Sequence, residues 1–473
     1  MAETDQLLSE DIQEGSEILI QQFKSSYRDP SGFIYSEKNI IFRQINLSYK
    51  KNYDFLISSG LYKKLTSLGY LIEHQEVKIK TPGYKVIRPR QIPFISYPYE
   101  WCFSMLKEAA ILTLNIQKIA MEYGLSLKDA SAFNIQFLEG KPVLIDTLSF
   151  EKYEAGKPWI AYKQFVEHFL GPLALMSMTD IRLNRLSALF IDGIPLDLVS
   201  KLLPFRSKLK PSLLFHIHAH AMGQKNFSEK KLSKNQIQSF SKQAFLGLID
   251  NLENSVKKFT WNPKNTLWAK YTNTGFHNYE DKALKQKENI VRKLLKTTAP
   301  KTVWDLGANT GNFSRIAADT GAGVISFDFD DGALEKNYLQ VIKNNEKNIL
   351  PIFCDLGNPT PALGWANQER MSLTERGPTD LNLALALIHH LAISKNVPLK
   401  LIAEYLSKIS NHLIIEFVPK EDSQVQRLLL NREDIFIDYN KEGFEKAFKE
   451  FFRIKETMPL TQSRRIIYLM KKR

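Results

Sequence analysis

In the second half of the chain, short apolar stretches alternate with longer stretches that carry apolar residues at helical spacing. Such alternation is typical of βαβ units and predicts a mostly parallel sheet. The last two apolar stretches predict an antiparallel hairpin at the edge of that sheet. In chain order, the predicted strands are Val303–Leu306, Val324–Phe327, Ile349–Phe353, Leu381–Leu387, Leu413–Phe417, Phe452–Thr457 and Arg465–Met470.

The first half of the chain mixes strands and helices in a less regular way. Two predicted strands, Phe33–Tyr35 and Ile40–Ile45, precede a helical stretch from Asn52 to Leu68. A longer predicted helix covers Glu100 to Tyr123 and ends at Gly124, a residue type that favours helix ends. Short strands and further helices follow. We therefore predict an α+β domain in the N-terminal half.

A polar, lysine-rich stretch begins at Ser228 and separates these two patterns. A length of 473 residues is long for one domain, so at least two domains are expected. The predicted division is a polar tail at 1–20, an α+β domain at 21–225, a linker and helix at 226–262, and an α/β domain at 263–473.

The net charge of +13 would suit an anionic partner such as nucleic acid, an acidic glycan or a membrane surface. The lysines are dispersed, however, which favours an ordinary solvated surface. Cys102 and Cys354 lie far apart and offer no disulfide framework or metal spacing. The acidic N-terminus is unlike a signal peptide, and no apolar stretch reaches the ~18 residues of a membrane span. These features predict a cytoplasmic protein without a transmembrane segment.

The stretch from Val303 to Ser314 carries the clearest chemical signal. An apolar strand leads into a turn that contains Gly307, Asn309 and Gly311, and the turn opens a helix. Glycine lets the backbone turn sharply and approach a ligand closely, and asparagine tolerates left-handed backbone geometry better than most residues. The pattern predicts a ligand-binding turn with the carboxylate of Asp305 beside it.

A dinucleotide site is the main alternative for this turn. Its fingerprint, G-x-G-x-x-G, requires a third glycine three residues after the second one. Gly307 and Gly311 are four positions apart, and no third glycine follows at the required place. A pyrophosphate would be repelled by Asp305, whereas a cationic sulfonium ligand with an α-amino group would use it. The residues therefore favour a sulfonium ligand.

The same stretch closely resembles motif I of class I S-adenosylmethionine-dependent methyltransferases, in which an acidic residue precedes G-x-G-x-G. Asn309 stands at the position of the middle glycine. The resemblance implies S-adenosylmethionine as cofactor and a Rossmann-like, seven-stranded methyltransferase sheet in the C-terminal half. It also implies that Asp305 binds the amino group of the cofactor, directly or through water.

Acidic residues follow the next two predicted strands as well. Asp328 lies about 20 residues beyond the glycine turn, where a carboxylate can accept hydrogen bonds from both ribose hydroxyls. Asp330 is expected to cap the next helix. Asp355 matches the third motif of the same family, and the resemblance implies that it contacts the adenine amine. Three aspartates at successive strand ends predict one joint cofactor site.

The fourth predicted strand leads into His389 and His390, where the methyl acceptor is expected to approach. This segment resembles the fourth motif of small-molecule and glycan methyltransferases and lacks the N/D-P-P-Y signature of amino-group methyltransferases. A histidine can take a proton from a hydroxyl during methyl transfer, although these two could instead only cap the strand and pack against the cofactor. Glu416, at the end of the fifth strand, is the third catalytic candidate. No metal is expected, because no metal-ligand spacing occurs near the pocket.

A second group of polar residues lies in the N-terminal half. Asp129 is followed by Asn134, a predicted hairpin and Asp146. This layout resembles protein-kinase-like folds, in which the first aspartate orients the acceptor hydroxyl while the asparagine and second aspartate hold magnesium. The chain departs from that pattern at Leu127 and Lys128 and has no glycine-rich phosphate loop. The alternative is a substrate-recognition domain in which these residues only form an Asx-type loop.

Taken as a whole, the chain resembles bacterial two-part, nodulation-type methyltransferases. The resemblance rests on segments such as Phe94–Trp101, Asp129–Phe150, Asp192–Asp197 and Glu416–Lys420. It implies a saccharide or glycan-related methyl acceptor. Two alternatives stay open: methylation of RNA or a ribosomal protein, which the basic charge would suit, and a non-catalytic protein that senses nucleotide. Nucleic acid is thus a possible but not favoured partner.

Overall fold

The computed structural model describes residues 21–38, 40–79, 82–222, 241–263, 281–430, 432–461 and 463–473. The predicted polar tail at 1–20 lies outside these ranges, as do residues 226–240 of the predicted linker and 264–280 of the predicted α/β domain. The chain forms two compact units. The first comprises the chain up to Lys51 together with Glu73–Gln91, and the second comprises Asn52–Ile72 together with Ile92–Arg473.

The first unit contains an antiparallel sheet of five strands in the order β1-β2-β3-β5-β4. Alternate residues of the strands face a small apolar core, since Tyr35 on β2 pairs with Phe42 on β3 and their rings stack at 5.5 Å. The strands predicted near Phe33–Tyr35 and Ile40–Ile45 are confirmed. The five strands are β1 (Gln21–Gln22), β2 (Gly32–Glu37), β3 (Ile40–Ile45), β4 (His74–Val77) and β5 (Lys85–Pro89).

The N-terminal part of the second unit is mainly helical and is built around the long helix α3. Apolar residues surround most of α3, which is why it is buried on nearly every side. It ends before Gly124, whose φ of +74° suits glycine. The helices are α1 (Lys50–Ser58), α2 (Leu61–Ser67), α3 (Phe103–Glu122), α4 (Tyr162–Phe165), α5 (Gly171–Met178), α6 (Leu186–Leu189), α7 (Leu196–Leu202), α8 (Pro211–Leu213) and α9 (Lys242–Lys258).

Two short antiparallel strand pairs accompany these helices. One pair joins β6 (Leu125–Leu127) to β9 (Phe150–Lys152), and the other is a hairpin of β7 (Ile135–Leu138) and β8 (Lys141–Leu144). The hairpin turns through Gly140, whose φ is +77°. Asp129 and Asn134 precede this hairpin in the chain, and Asp146 follows it.

The C-terminal part of the second unit is an α/β sheet of seven strands, so the predicted α/β class is confirmed. The strand order is β12-β11-β10-β13-β14-β16-β15. The first five strands are parallel to one another, and β16 pairs antiparallel with both β14 and β15. The strands are β10 (Thr302–Leu306), β11 (Gly323–Asp328), β12 (Ile349–Phe353), β13 (Thr379–Ala384), β14 (Ser410–Phe417), β15 (Phe452–Pro459) and β16 (Ile466–Lys472).

The helices that connect these strands follow from their apolar spacing. The strand order reverses between β10 and β13, and in open α/β sheets a ligand binds beyond the carboxyl ends of the strands at that point. This reversal sets the position of the site described below. The helices are α10 (Asp281–Thr298), α11 (Asn312–Ala318), α12 (Asp331–Asn344), α13 (Leu399–Ile409), α14 (Ser423–Leu429) and α15 (Lys441–Phe451).

The compact units do not follow the predicted domain boundaries, because the helical part packs directly on the seven-stranded sheet. The Phe94 ring lies edge-on to Trp304 and Phe327, with centroids 5.8 and 5.9 Å apart. Glu100 and Arg376 form a buried ion pair at 2.6 Å. Helix α9, within the predicted linker region, also packs on α3. The predicted domain at 21–225 is therefore divided between the two units.

Within the ranges that the structure describes, none of the helices combines the length and apolar character needed to cross a membrane.

Candidate active site

The turn after β10 has the backbone geometry that its sequence predicts. Gly307, Asn309 and Gly311 have φ angles of +78°, +52° and +82°, so all three are left-handed. Asparagine therefore occupies a left-handed position, as expected. A side chain at Gly311 would meet the amide oxygen of Asn337 at 2.5 Å. The amides of Gly307 and Ala308 both donate to the carbonyl of Phe327, which fixes the turn against β11.

Asp328 lies at the end of β11 and holds the turn from the other side. Its carboxylate accepts hydrogen bonds from the amides of Asn309 at 2.7 Å and Asp330 at 2.8 Å. Burial raises its pKa to about 6, although these backbone hydrogen bonds oppose the shift. Asp330 accepts from the amides of Gly332 and Ala333, so its predicted role as a helix cap is confirmed. Asp328 is thus rigidly held and lines the cavity.

Asp305 is the penultimate residue of β10 and is buried beneath the turn. It is 2% exposed and accepts a hydrogen bond of 2.6 Å from the hydroxyl of Ser314. Burial raises its pKa to about 6, and the nearby charge of Asp328 raises it further while Lys287 opposes this. Asp305 is not among the residues that line the cavity, so it contributes negative charge beneath the turn.

Asp355 follows β12 and completes the group of strand-end aspartates. It accepts from the amide of Gly357 at 2.8 Å and pairs with the ammonium of Lys395 at 2.9 Å. It lines the same cavity as Asp328. The cavity has a volume of about 390 Å³ and is walled mainly by apolar side chains: Phe329, Leu356, Leu385, Leu387, Leu391 and Leu428.

His389 and His390 also line this cavity, and their rings lie 4.2 Å apart. Burial lowers the pKa of both histidines, and that of His389 is held well below its usual value by the additional influence of His390 and Arg465. Within the described part of the chain, Nδ1 of His389 is buried without a hydrogen-bond partner. His389 is therefore a neutral imidazole at neutral pH with one ring nitrogen available.

Glu416 does not lie where the sequence analysis expects it. It is fully buried at the end of β14 and is not among the cavity-lining residues. Its carboxylate accepts from the ammonium of Lys287 at 2.6 Å and from the guanidinium of Arg465 at 3.3 Å. Two cations thus compensate its charge, and the placement does not support a catalytic role for Glu416.

Lys287, Arg465 and Lys395 are charged residues of the site that the sequence analysis missed. Arg465 lines the cavity and forms a bidentate pair with Asp422 at 2.7 and 3.0 Å. Lys287 is buried on the apolar face of α10, four residues from both Ala283 and Val291. A lysine within an apolar helical stripe was the available signal, because such a residue needs a buried anion.

The structure also brings Asp129, Asn134 and Asp146 together. Asp129 accepts from the amide of Ser131 at 2.9 Å and from the side chain of Asn134. Asp146 accepts from the amide of Leu148 at 2.9 Å and the hydroxyl of Ser149 at 2.6 Å. Burial and then the charge of Asp146 raise the pKa of Asp129. We call these three residues the hairpin cluster.

In the part of the chain that the structure describes, no group of three or more His, Cys, Asp or Glu side chains is arranged to hold a metal ion.

No protein-family model matches the chain. The chain is 33% identical to the nodulation protein NoeA of Rhizobium meliloti (strain 1021) over 454 residues, which cover 94% of each protein. Among solved structures, the chain is similar to the magnesium protoporphyrin IX methyltransferase ChlM from Synechocystis PCC 6803. The two sequences are 17% identical, the match covers 40% of this chain and 84% of that chain, and the TM-score is 0.30.

Two further solved structures are similar over comparable parts of the chain. The N-methyltransferase NodS from Bradyrhizobium japonicum WM9 is 11% identical, with 41% of this chain and 98% of that chain covered and a TM-score of 0.30. The bifunctional kinase-methyltransferase WbdD is 17% identical, with 41% of this chain and 40% of that chain covered and a TM-score of 0.28.

Proposed function

This chain belongs to the family of the nodulation protein NoeA, and we propose that it is an S-adenosylmethionine-dependent methyltransferase that methylates a hydroxyl group of a saccharide. One observation carries the reaction type. At the reversal of the strand order, a cavity is lined by a left-handed turn, a buried carboxylate and a neutral histidine. These features supply a place for the methyl donor and a base for the acceptor.

The residues around the cavity fit S-adenosylmethionine. The carboxylate of Asp328 accepts hydrogen bonds from the Asn309 and Asp330 amides, which hold the turn. The same carboxylate lies at the cavity wall, where two ribose hydroxyls can donate to it. Asp355 follows the next strand and is proposed to contact the adenine amine. The apolar wall formed by Leu356, Leu387 and other residues suits a purine ring.

The charges of the site favour a cationic cofactor over a dinucleotide. Asp305 and Asp328 are both buried, and burial raises the pKa of each; the charge of Asp328 raises the pKa of Asp305 further, and the charge of Asp330 does the same for Asp328. A bound sulfonium and ammonium would lower that cost, since opposite charges attract strongly in a poorly solvated site. A pyrophosphate at the same turn would add two further negative charges. We therefore propose that Asp305, which lies beneath the turn and outside the cavity wall, attracts the amino group of the cofactor through its charge or through a bridging water.

When bound, S-adenosylmethionine supplies an activated methyl group to an attacking oxygen. His389 is proposed to accept the proton of the acceptor hydroxyl at Nδ1 as the new C–O bond forms, because that nitrogen is buried without a partner within the described residues. Arg465 and Lys287 help to keep the imidazole neutral, since both make a second positive charge nearby unfavourable. Pairing with Asp422 and Glu416 holds Arg465 in position.

The acceptor class is supported by the family to which the chain belongs and by the histidine at the cavity wall. The segments that resemble nodulation-type methyltransferases extend over most of the chain, and the relative that covers 94% of it is a nodulation protein. A neutral histidine at the cavity wall suits an alcohol, which has to lose a proton during transfer. We therefore propose a saccharide hydroxyl as the methyl acceptor.

The proposal is tested by incubating the purified full-length protein with labelled S-adenosylmethionine and separated glycan, RNA and protein fractions from cells. We expect label in the glycan fraction, and none when the Asp328→Ala variant replaces the wild type. Label in RNA or protein would refute the saccharide acceptor but would still be consistent with a methyltransferase reaction. Absence of S-adenosylmethionine binding by calorimetry would overturn the reaction itself.

A second candidate function is favoured by the hairpin cluster alone. Asp129, Asn134 and Asp146 lie together as they would in a kinase-like nucleotide site, and their two carboxylates are close enough for one to raise the pKa of the other. A magnesium ion would relieve that repulsion. In this alternative the N-terminal half senses a nucleotide without transferring phosphate, because the histidine and arginine of a kinase catalytic loop are replaced by Leu127 and Lys128.

A further inference from the structure

Between α7 and the end of the helical segment that follows α8, the chain presents large apolar side chains to solvent. Phe205 and Leu209 are both 74% exposed, and Phe215 is 58% exposed. Leu214 and Met222 are exposed as well. Exposed apolar side chains that cluster along one segment are more typical of interaction or membrane-contact sites than single exposed ones are. We call the five residues, with Arg206, Lys208 and Lys210 between them, the basic apolar face.

The helix over residues 211–222 fixes the outward direction of Leu214, Phe215 and Met222, and Phe205 and Leu209 lie on the short helical turn that precedes it. Residues 211–222 are helical, and the exposed positions recur along one side of that helix. The opposite side is anchored: His216 hydrogen-bonds to the hydroxyl of Tyr162 at 2.7 Å and to the side-chain oxygen of Asn251 at 2.9 Å. The apolar side therefore cannot turn inward without breaking these buried hydrogen bonds.

The charge of this segment has a single sign. From Leu198 to Ser228 the sequence contains no aspartate or glutamate, and three of its basic residues lie within Arg206–Lys210. In the part of the chain that the structure describes, neither Lys208 nor Lys210 forms an ion pair. The ammonium of Lys208 lies 5.7 Å from the centre of the Phe205 ring. Positive charge and apolar surface are thus interleaved within a few residues.

We propose that the basic apolar face docks this protein on a membrane surface that contains anionic lipids. Apolar side chains that enter the boundary between headgroups and acyl chains, with lysine and arginine beside them, are the two components of interfacial binding. A second copy of the chain is disfavoured as the occupant, because a symmetric contact would bring Arg206, Lys208 and Lys210 against their own copies. Nucleic acid would use the charges but would leave Leu209 and Met222 without a role.

The test is co-sedimentation of the full-length protein with vesicles of phosphatidylcholine alone or mixed with phosphatidylglycerol. We expect binding to the mixed vesicles that is about tenfold or more stronger than to phosphatidylcholine alone. The Phe205→Ser/Phe215→Ser and Lys208→Glu/Lys210→Glu double variants should each lose about tenfold in binding to the mixed vesicles. Ile437→Ser removes an equally exposed apolar side chain elsewhere and should bind like the wild type.

Three results would overturn the proposal. The wild type could fail to sediment with the anionic vesicles, or both double variants could bind as the wild type does. The double variants could also change the molecular mass in solution by light scattering without lipid, which would identify the face as a contact between copies of the chain. Thermal unfolding checks that each variant folds, and all substituted side chains are exposed, so folding should be unchanged.

Discussion

The cofactor cavity and the hairpin cluster both bring acidic side chains together, but they do so by different means. Asp305, Asp328 and Asp355 come from three separate strands, and only the parallel sheet can bring them to one edge. Asp129 and Asp146 lie at the two ends of one hairpin, so local chain geometry is enough to make them neighbours. Convergence across a whole sheet is therefore stronger evidence for a ligand than convergence within a hairpin.

The two groups also differ in how their hydrogen bonds are used. In the cavity, backbone amides hold Asp328 while its carboxylate still lines an apolar space of about 390 Å³. In the hairpin cluster, the amides and hydroxyls of the same short loops occupy the carboxylates of Asp129 and Asp146. Substitutions in the two groups, and the response of the wild type to pH, would sharpen or break this contrast.

The largest effect is expected from Asp328→Ala. Loss of two charge-assisted hydrogen bonds to ribose should weaken S-adenosylmethionine binding about a thousandfold. The seven-stranded sheet should stay folded, because a carboxylate that burial makes costly to ionise is removed, but the turn loses the acceptor of the Asn309 and Asp330 amides. Calorimetric titration measures the affinity, and Asp319→Ala, an exposed aspartate paired with Arg292, is the matched control. Wild-type affinity in Asp328→Ala would refute the ribose assignment.

The next largest effect is expected from His389→Ala. Removal of the general base should lower kcat about a hundredfold and leave the affinity for S-adenosylmethionine unchanged. Because the pKa of His389 is held below its usual value, wild-type kcat should stay flat from pH 8 to below 6.5 and fall only in more acidic buffer. His390→Ala separates the two histidines, and His412→Ala, which lies on β14 beside the Asp380 carbonyl, serves as the control. An unchanged kcat in both His389→Ala and His390→Ala would refute the proposed role of a histidine as general base.

A smaller effect is expected from pH on the wild-type protein. Burial raises the pKa values of Asp305 and Asp328 to about 6, so both carboxylates become ionised between pH 5 and pH 7. Affinity for the cationic cofactor should rise about tenfold over this interval. The stability of the cofactor-free protein should instead fall as the pH rises. A carboxyl group whose pKa is raised in the folded state stabilises the fold fully below about pH 4, and this contribution is lost as the pH rises through about 6. Calorimetry and thermal unfolding at pH 5, 6 and 7 test the opposite slopes.

The smallest effect is expected from Asp146→Asn. If the hairpin cluster is only a structural loop, methyl transfer should change less than about twofold, and the pKa of Asp129 should fall because a neighbouring charge is removed. The informative measurement is the unfolding temperature with and without magnesium-ATP. A shift in the wild type that Asp146→Asn abolishes would make the cluster a nucleotide site and end the contrast with the cavity. Absence of any shift would exclude the nucleotide-sensing alternative.

Several features of the cofactor site could be predicted because their causes are local. The strand ends follow from short apolar stretches, the left-handed turn follows from Gly307, Asn309 and Gly311, and the cap at Asp330 follows from its position before a helix. The group of three aspartates required one more assumption, namely that successive strands run parallel. That assumption follows from the alternation of strands and helices.

The role of Glu416 could not be predicted in the same way. Its partners Lys287 and Arg465 are 129 and 49 residues away in sequence, so nothing beside Glu416 indicates that its charge is compensated. The division into the two compact units could not be predicted for a similar reason. A polar stretch after Ser228 suggests a linker, whereas the contacts of Phe94 with Trp304 and of Glu100 with Arg376 span more than two hundred residues and leave no local pattern.

The packing of Phe94 on Trp304 and Phe327 bears on how such a protein could be assembled from parts. A gene fragment that encodes only the seven-stranded sheet would expose the Trp304 ring and would remove the ion-pair partner of Arg376. Exchange of cassettes between relatives should therefore fail at the polar stretch in the middle of the chain. Tolerated crossover points should instead lie near Lys51, Glu73 and Gln91, where one compact unit gives way to the other. The cofactor-binding sheet and the helices that cover it would then be inherited as one piece.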